Sequence, residues 1–358
     1  MPITSNELDQ LTTEAIALLS ELIGIPALSK EEENRADFLQ HYLIQSGFKP
    51  RRIGNNILLS KNNIDSNKCI LLNSHIDTVK PSPSWSYNPH KAFIKEGKLF
   101  GLGANDAGAS VVSLFMAFKY LSSKHQSYSL LFAATAEEEI SGENGIAKLL
   151  NEIQNIDLAI VGEPTGMQMA IAEKGLMVID AVTKGRSGHA AREEGVNAIY
   201  LAIADIETIK MLNFEKTSPL LGKSKATVTI IHAGSQHNVV PDECRYVIDV
   251  RCNEMYTLQE VHSLLQHAVK YSALTPRSFR LQPSSIDVDH EIIKKGISMG
   301  LNHYGSPTLS DQALMPFPSL KIGPGDSSRS HTADEYIELD EIKKGIQYYI
   351  QLMDSLDL

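Results

Sequence analysis

Cys69-Ile-Leu-Leu-Asn-Ser74-His75-Ile-Asp77 decides the fold, because an apolar run breaks there into polar residues at a histidine. The pattern returns in Ser129 to Ala134 before Glu137-Glu138-Glu139, and in Leu158 to Val161 before Gly162-Glu163. Short apolar runs bounded by polar breaks read as buried strands. Such strands alternating with helices build a parallel sheet, and ligands bind at the carboxyl ends of its strands. One histidine and several carboxylates therefore converge on a single crevice, where only a cation or a shared proton holds so many acids together. From the residues alone, a metal-dependent enzyme is the leading reading.

Composition narrows the rest. A chain of 358 residues exceeds the roughly 250 to 300 that one hydrophobic core organises, so two domains are expected. The hydrophobic fraction of 42% and charged fraction of 21% are ordinary for a globular protein. A net charge of −10 argues against a nucleic-acid partner, which needs a basic footprint; Lys49-Pro50-Arg51-Arg52 is too short to supply one and reads as a solvated turn. Cys69, Cys244 and Cys252 lack the paired spacing of a disulfide framework or zinc finger, and a reducing cytoplasm fits them. The N-terminus from Met1 shows no secretory leader, and no run of about 18 apolar residues suggests a membrane span.

Along the chain, Thr4-x-x-Glu7 predicts a capping box before a helix carrying Leu8, Leu11, Ala15, Leu18, Leu19 and Leu22. Ser29-x-x-Glu32 repeats the device. A helix is expected from about Ala107 to Leu121, just after the loop Gly101 to Asp106, and Pro81 to Pro89 reads as a surface loop. Past Glu173 the rhythm changes. Strands are expected at Met177 to Thr183, Ala226 to His232, Tyr246 to Val250 and Phe279 to Leu281, with helices at Val196 to Met211 and Leu258 to Val269. That order, β-α-β-β-α-β, is the ferredoxin-like unit. It gives a domain over 174–284 inserted between two parts of the first, 1–173 and 285–358.

The motifs Ser-His75-Ile-Asp77-Thr-Val, Gly101-Leu-Gly-Ala-Asn-Asp106, Thr135-Ala-Glu-Glu138-Glu139, Val-Gly-Glu163-Pro-Thr and Gly323-Pro-Gly325 followed by His331 resemble, in that order, those of the dinuclear-zinc aminoacylase and deacetylase metallopeptidases. That family includes acetylornithine deacetylase, succinyl-diaminopimelate desuccinylase and glutamate-releasing carboxypeptidases. The resemblance runs from about residue 70 to 340. It implies an α/β zinc-hydrolase fold, a mixed sheet flanked by helices, with the inserted ferredoxin-like α+β domain serving as lid or dimerisation domain.

The resemblance also implies roles. Asp106 bridges two Zn²⁺ ions, with Co²⁺ as an alternative; His75 and Glu163 complete one site, Glu139 and His331 the other. Histidine and carboxylate donors suit Zn²⁺, and a carboxylate supplies the anion that two close cations need between them. Asp77 is placed to accept the other ring N–H of His75. Glu138, adjacent to a ligand, is the expected general base. His189, in a Gly-His-Ala setting, stabilises the oxyanion, in its own or a partner subunit. Asn238 and Arg251 hold the substrate carboxylate, and Gly323 and Gly325 line the substrate. The expected substrate is a small N-acyl amino acid, acetylornithine first, with succinylornithine, succinyl-diaminopimelate or a peptide as alternatives, and the expected assembly is a homodimer.

Three rival readings are weaker. Gly101-Leu-Gly103-Ala-Asn-Asp106 mimics a dinucleotide fingerprint, but Asp106 stands where a third glycine belongs and its charge would repel a pyrophosphate. Ser187 beside His189 lacks the Gly-x-Ser-x-Gly elbow of a serine hydrolase. A non-catalytic metal-binding scaffold would be marked by a missing ligand or base, and every such position is filled.

Overall fold

The computed structural model describes residues 3–63 and 66–358, so Met1 and Pro2 of the expected first segment lie outside the described residues. The chain divides into two compact units, one formed by Met1–Ile171, Ser285–Tyr304 and Ser310–Leu358, the other by Ala172–Ser284 and Gly305–Leu309.

In the first unit, strands run side by side in the order Asn56–Lys61, Ser129–Thr135, Cys69–His75, Leu158–Val161, Ser319–Lys321 and Met169–Glu173. The sheet is mixed, as the resemblance implies, and the purely parallel pairing expected from the apolar runs holds only at its centre. The four strands from Ser129–Thr135 to Ser319–Lys321 are parallel, while Asn56–Lys61 and Met169–Glu173 join antiparallel. Register sets the site: His75 lies opposite Thr135, and Asn73 opposite Val161. Three parallel strands thus end at nearly one level, with His75, the Glu137-Glu138-Glu139 turn and Glu163 just beyond them. Every residue of Cys69–His75 is buried, as a strand covered on both faces requires.

The helices agree with their sequence signals in part. Thr4 and Glu7 form the expected capping box on Ser5–Ile23. Ser29-x-x-Glu32 does not form one: the next helix, Glu33–Gln45, begins at Glu32 without a side-chain cap. Both residues are engaged elsewhere, as described below. The helix expected from Ala107 starts at Ala109 and runs to Ser122. Asp106 and Ala107 keep non-helical backbone, φ −120° and −119°, in a wide turn that directs the Asp106 carboxylate into the crevice. Among the described residues no helix is long and apolar enough to cross a membrane.

The second unit holds a four-stranded antiparallel sheet in the order Lys225–Ala233, Glu243–Cys252, Gly175–Lys184 and Ser272–Pro276. Helices Ala198–Met211 and Leu258–Ala268 accompany it, and Met177, Ile179, Tyr246, Ile248, Val250, Leu258 and Leu265 share its core. The last strand is Ser272–Pro276 rather than the expected Phe279 to Leu281. Ser272 and Leu274 turn inward between exposed Ala273 and Thr275, a polar alternation with little apolar signal. Phe279 packs on the core from a loop, and Leu281 makes only an isolated bridge to Leu176.

Candidate metal centre

The strand Cys69–His75 delivers the His75 side chain, 1% exposed, to the sheet's carboxyl edge. Its Nδ1 donates to the Asp77 backbone carbonyl at 3.1 Å and stands 3.5 Å from the Asp77 carboxylate. With the ring proton held there, Nε2 faces Asp106 at 3.2 Å, Glu163 at 3.7 Å and Glu138 at 3.8 Å. On the far side of Asp106, His331 Nε2 lies 3.6 Å from Oδ2 of that residue and 2.9 Å from Glu139. The two oxygens of Asp106 thus face two different histidines, as a bridging carboxylate should.

So much negative charge has consequences for protons. Burial and the charges of Glu163, Asp311 and Glu139 hold the Glu138 carboxyl well above the ordinary range, against the pull of His75. Burial, with Asp106 and Glu139, pushes Glu163 up to about 8. The hydrogen bond to Glu139 lifts His331 to about 9. Burial opposes protonation of His75, but its hydrogen bonds with Asp106 and Asp77 and the charges of Glu138 and Glu163 outweigh this and raise it.

A divalent cation fits these donors. One donor atom each from His75, Asp106 and Glu139 lie within 4.8 Å of one another, and the same holds for His75, Glu138 and Glu163. Among the described residues, Oε1 of Glu139 is buried with no hydrogen-bond partner. An unpaired buried carboxylate oxygen is costly, and a cation is the partner the surrounding acids leave room for.

Ser29, Glu32, Glu335 and Asp311, which all reach the site, carried no functional signal in the sequence. Asp77 Oδ2 accepts from the Ser29 hydroxyl at 2.7 Å and the Glu139 amide at 3.2 Å, and Oδ1 from the Glu138 amide at 3.1 Å. Glu32, fully buried, accepts from the Glu137 and Lys30 amides and from Asn55. Glu335 accepts from the amides of Gly103, Asn105 and Asp106 and so grips the turn that carries the Asp106 carboxylate. Asp311, raised by burial to about 6, joins Asn73 and Thr135 beneath the strand ends. Glu137 is buried and bound to Asn144, a structural role.

Gly323 and Gly325, expected to line the substrate, are instead buried packing positions. A Cβ on Gly323 would meet Ser110 Oγ at 2.4 Å, and one on Gly325, at φ +93°, would meet Asn105 Oδ1 at 2.3 Å. The remaining expected residues belong to the second unit. His189 is exposed on a two-residue strand paired with Val239–Val240, beside exposed Asn238, whose carbonyl accepts from the Ala190 amide. Nδ1 of His189 accepts from the Ala191 amide at 3.1 Å, so a neutral ring carries its proton on Nε2 and offers it as a donor. Arg251 meets Asp249 through Nε and Nη2, at 2.8 and 3.1 Å.

Over 95% of both chains, the protein is 28% identical to a [LysW]-lysine/[LysW]-ornithine hydrolase of Sulfurisphaera tokodaii. It is 28% identical to an acetylornithine deacetylase of Proteus mirabilis over 81% of this chain and 80% of that one. Among solved structures, the aminopeptidase PepT of Bacillus cereus shares the fold with a TM-score of 0.78 at 18% identity, covering 96% of this chain and 98% of that one. Residues 71–355 match the family described as peptidase family M20/M25/M40. That match spans every element of the crevice from His75 to His331, and the chain belongs to this family of hydrolases.

Proposed function

We propose that this protein is a dinuclear zinc amidohydrolase that removes the acyl group from the α-nitrogen of an amino acid, N-acetylornithine in the first instance. The observation that carries the reading is Asp106 set between two histidines, with the orphaned Glu139 oxygen beside it. His75, Asp106 and Glu163 would hold one ion, and Asp106, Glu139 and His331 the other; Co²⁺ suits the same donors. Such a pair, when bound, polarises a scissile carbonyl and acidifies the attacking water.

The protein's own groups do the rest. Glu138 accepts the proton of the attacking water and passes it to the departing amine nitrogen. Its carboxylate lies 3.8 Å from His75 Nε2, beside the proposed ligands and within reach of a water bound among them. Asp77 keeps the His75 ring in one tautomer. His189, with its proton on Nε2, donates to the oxyanion, and Asn238 next to it contacts the substrate. A second copy of the chain is the proposed partner. The edge strand Lys225–Ala233 exposes Ile230 and Ile231, and unpaired edges invite strand pairing. Three buried free thiols support a reducing, cytoplasmic setting.

One observation favours a second reading. The Sulfurisphaera hydrolase and a succinyl-diaminopimelate desuccinylase of Nitratiruptor each match over more than 90% of both chains, whereas the acetylornithine deacetylase match leaves about a fifth of each chain uncovered, so hydrolysis of a LysW-linked lysine or ornithine, or desuccinylation, is the alternative. Zn²⁺-loaded protein should be assayed against acetylornithine, succinylornithine, succinyl-diaminopimelate, LysW-linked ornithine and dipeptides. Turnover of acetylornithine supports the first reading. Preference for the LysW-linked or a succinylated compound selects the second, and hydrolysis of dipeptides alone rejects both.

A further inference from the structure

The connection between the first two helices reaches the metal centre from behind, through contacts that the Ser29-x-x-Glu32 spacing does not announce. Arg35, 5% exposed, donates from Nε and Nη2 to the Ile25 carbonyl and from Nη1 to the Ile76 carbonyl at 2.7 Å. The Thr78 amide donates to the Ala27 carbonyl at 2.9 Å. Glu32 holds the Glu137 amide. Residues 25–35 therefore grip both strand ends that carry the site, Ile76 to Thr78 on one side and the Glu137 turn on the other.

Within this grip one hydroxyl meets a side chain of the centre. The Ser29 contact to Asp77 Oδ2, at 2.7 Å, is the shortest that this carboxylate makes. Asp77 in turn meets the Glu138 amide, the Glu139 amide and the His75 ring. We infer that Ser29 is a positioning residue of the hydrolytic site: its hydroxyl fixes the Asp77 carboxylate, and through Asp77 it fixes the His75 ring and the turn carrying Glu138 and Glu139. Without the hydroxyl, Oδ2 keeps only the Glu139 amide at 3.2 Å, and the carboxylate is free to turn about its terminal torsion, which is broad and nearly two-fold. The His75 ring then keeps the Asp77 backbone carbonyl for its Nδ1 proton but loses a fixed carboxylate 3.5 Å away, and metal binding weakens because the free nitrogen is less firmly aimed.

The inference rests on the metal-dependent reaction proposed above, so its test carries a readout that does not need turnover. Full-length protein, Ser29→Ala, Asp77→Ala and the double variant are stripped of metal. Zn²⁺ affinity is then measured by competition with a chromophoric chelator, alongside Tm, kcat and KM. Ser29→Ala should keep its Tm, bind Zn²⁺ about tenfold more weakly and lose kcat with KM nearly unchanged. In the Asp77→Ala background the same substitution should change Zn²⁺ affinity less than twofold, because the two residues act as one unit. An equal loss in both backgrounds, or an affinity in Ser29→Ala within twofold of the unsubstituted protein, overturns the inference. Should Asp77→Ala fail to fold, Asp77→Asn serves as the background. If the unsubstituted protein binds Zn²⁺ yet hydrolyses no N-acyl amino acid, the proposed function falls while the affinity cycle still judges Ser29.

Discussion

Asp205 in the second unit and Glu138 in the first are both carboxylates withdrawn from water, but their surroundings differ in kind. Asp205, 2% exposed, accepts from three consecutive amides, Lys270, Tyr271 and Ser272, and from the Ser272 hydroxyl. Tyr246 and Thr183 complete the network through Ser272. Glu138 lies among Glu139, Glu163, Asp311 and His75, and burial and like charge raise its pKa. One arrangement satisfies an anion and joins a helix to a strand. The other gathers more anions than its two histidines can satisfy, which is tolerable only where a cation or a proton takes up the charge. Stability and chemistry are thus assigned to different acids.

The largest test of that division is Glu138→Gln. It should lower kcat by about 10²- to 10⁴-fold while Zn²⁺ content, measured by elemental analysis, stays at that of the unsubstituted protein. Near-normal turnover removes Glu138 from the proton path. Next, His189→Ala should reduce kcat by about 10²- to 10³-fold with Zn²⁺ content unchanged; a variant that loses zinc contradicts a donor role for a residue of the second unit. Asp205→Ala should leave metal binding and the chemical step intact but cost about 3 kcal/mol in chemical denaturation, because several buried donors lose their acceptor. If that variant is as stable as its parent, the contrast between the two acids fails.

The smallest effect concerns pH. In the metal-free protein Glu163 is raised from 4.5 to about 8, and His331 from 6.5 to about 9. Through these windows the folded chain holds protons that the unfolded chain has released, so stability falls as pH rises. The Tm of stripped protein should drop by roughly 2 to 5 °C between pH 5.5 and 9, and Zn²⁺ should flatten the slope by displacing those protons. A rising Tm over that range breaks the account of the crowded acids.

The centre of the sheet and the histidine and acids gathered at its edge were legible because Cys69–His75, Ser129–Thr135 and Leu158–Val161 are apolar runs that end in polar residues. Ser272–Pro276 was missed because serine and threonine share its alternation with a single leucine. Ser29-x-x-Glu32 was misread because a spacing of three is also what a helix cap uses, and nothing local distinguishes the two. Glu335 and Asp311 meet partners more than 170 positions away in sequence, so no periodicity points to them. The glycines at 323 and 325 were identified as special, but the reason, close approach to Ser110 and Asn105, is visible only in three dimensions.

The grip of Glu335 on the Gly103, Asn105 and Asp106 amides also sets an order of events during synthesis. His75, Asp106, Glu139 and Glu163 emerge from the ribosome before the second unit, whereas His331 and Glu335 emerge after the whole of it. A nascent chain therefore carries a cluster of repelling acids until that later segment arrives to close the turn, and a polypeptide cut short before His331 lacks one of the proposed metal ligands.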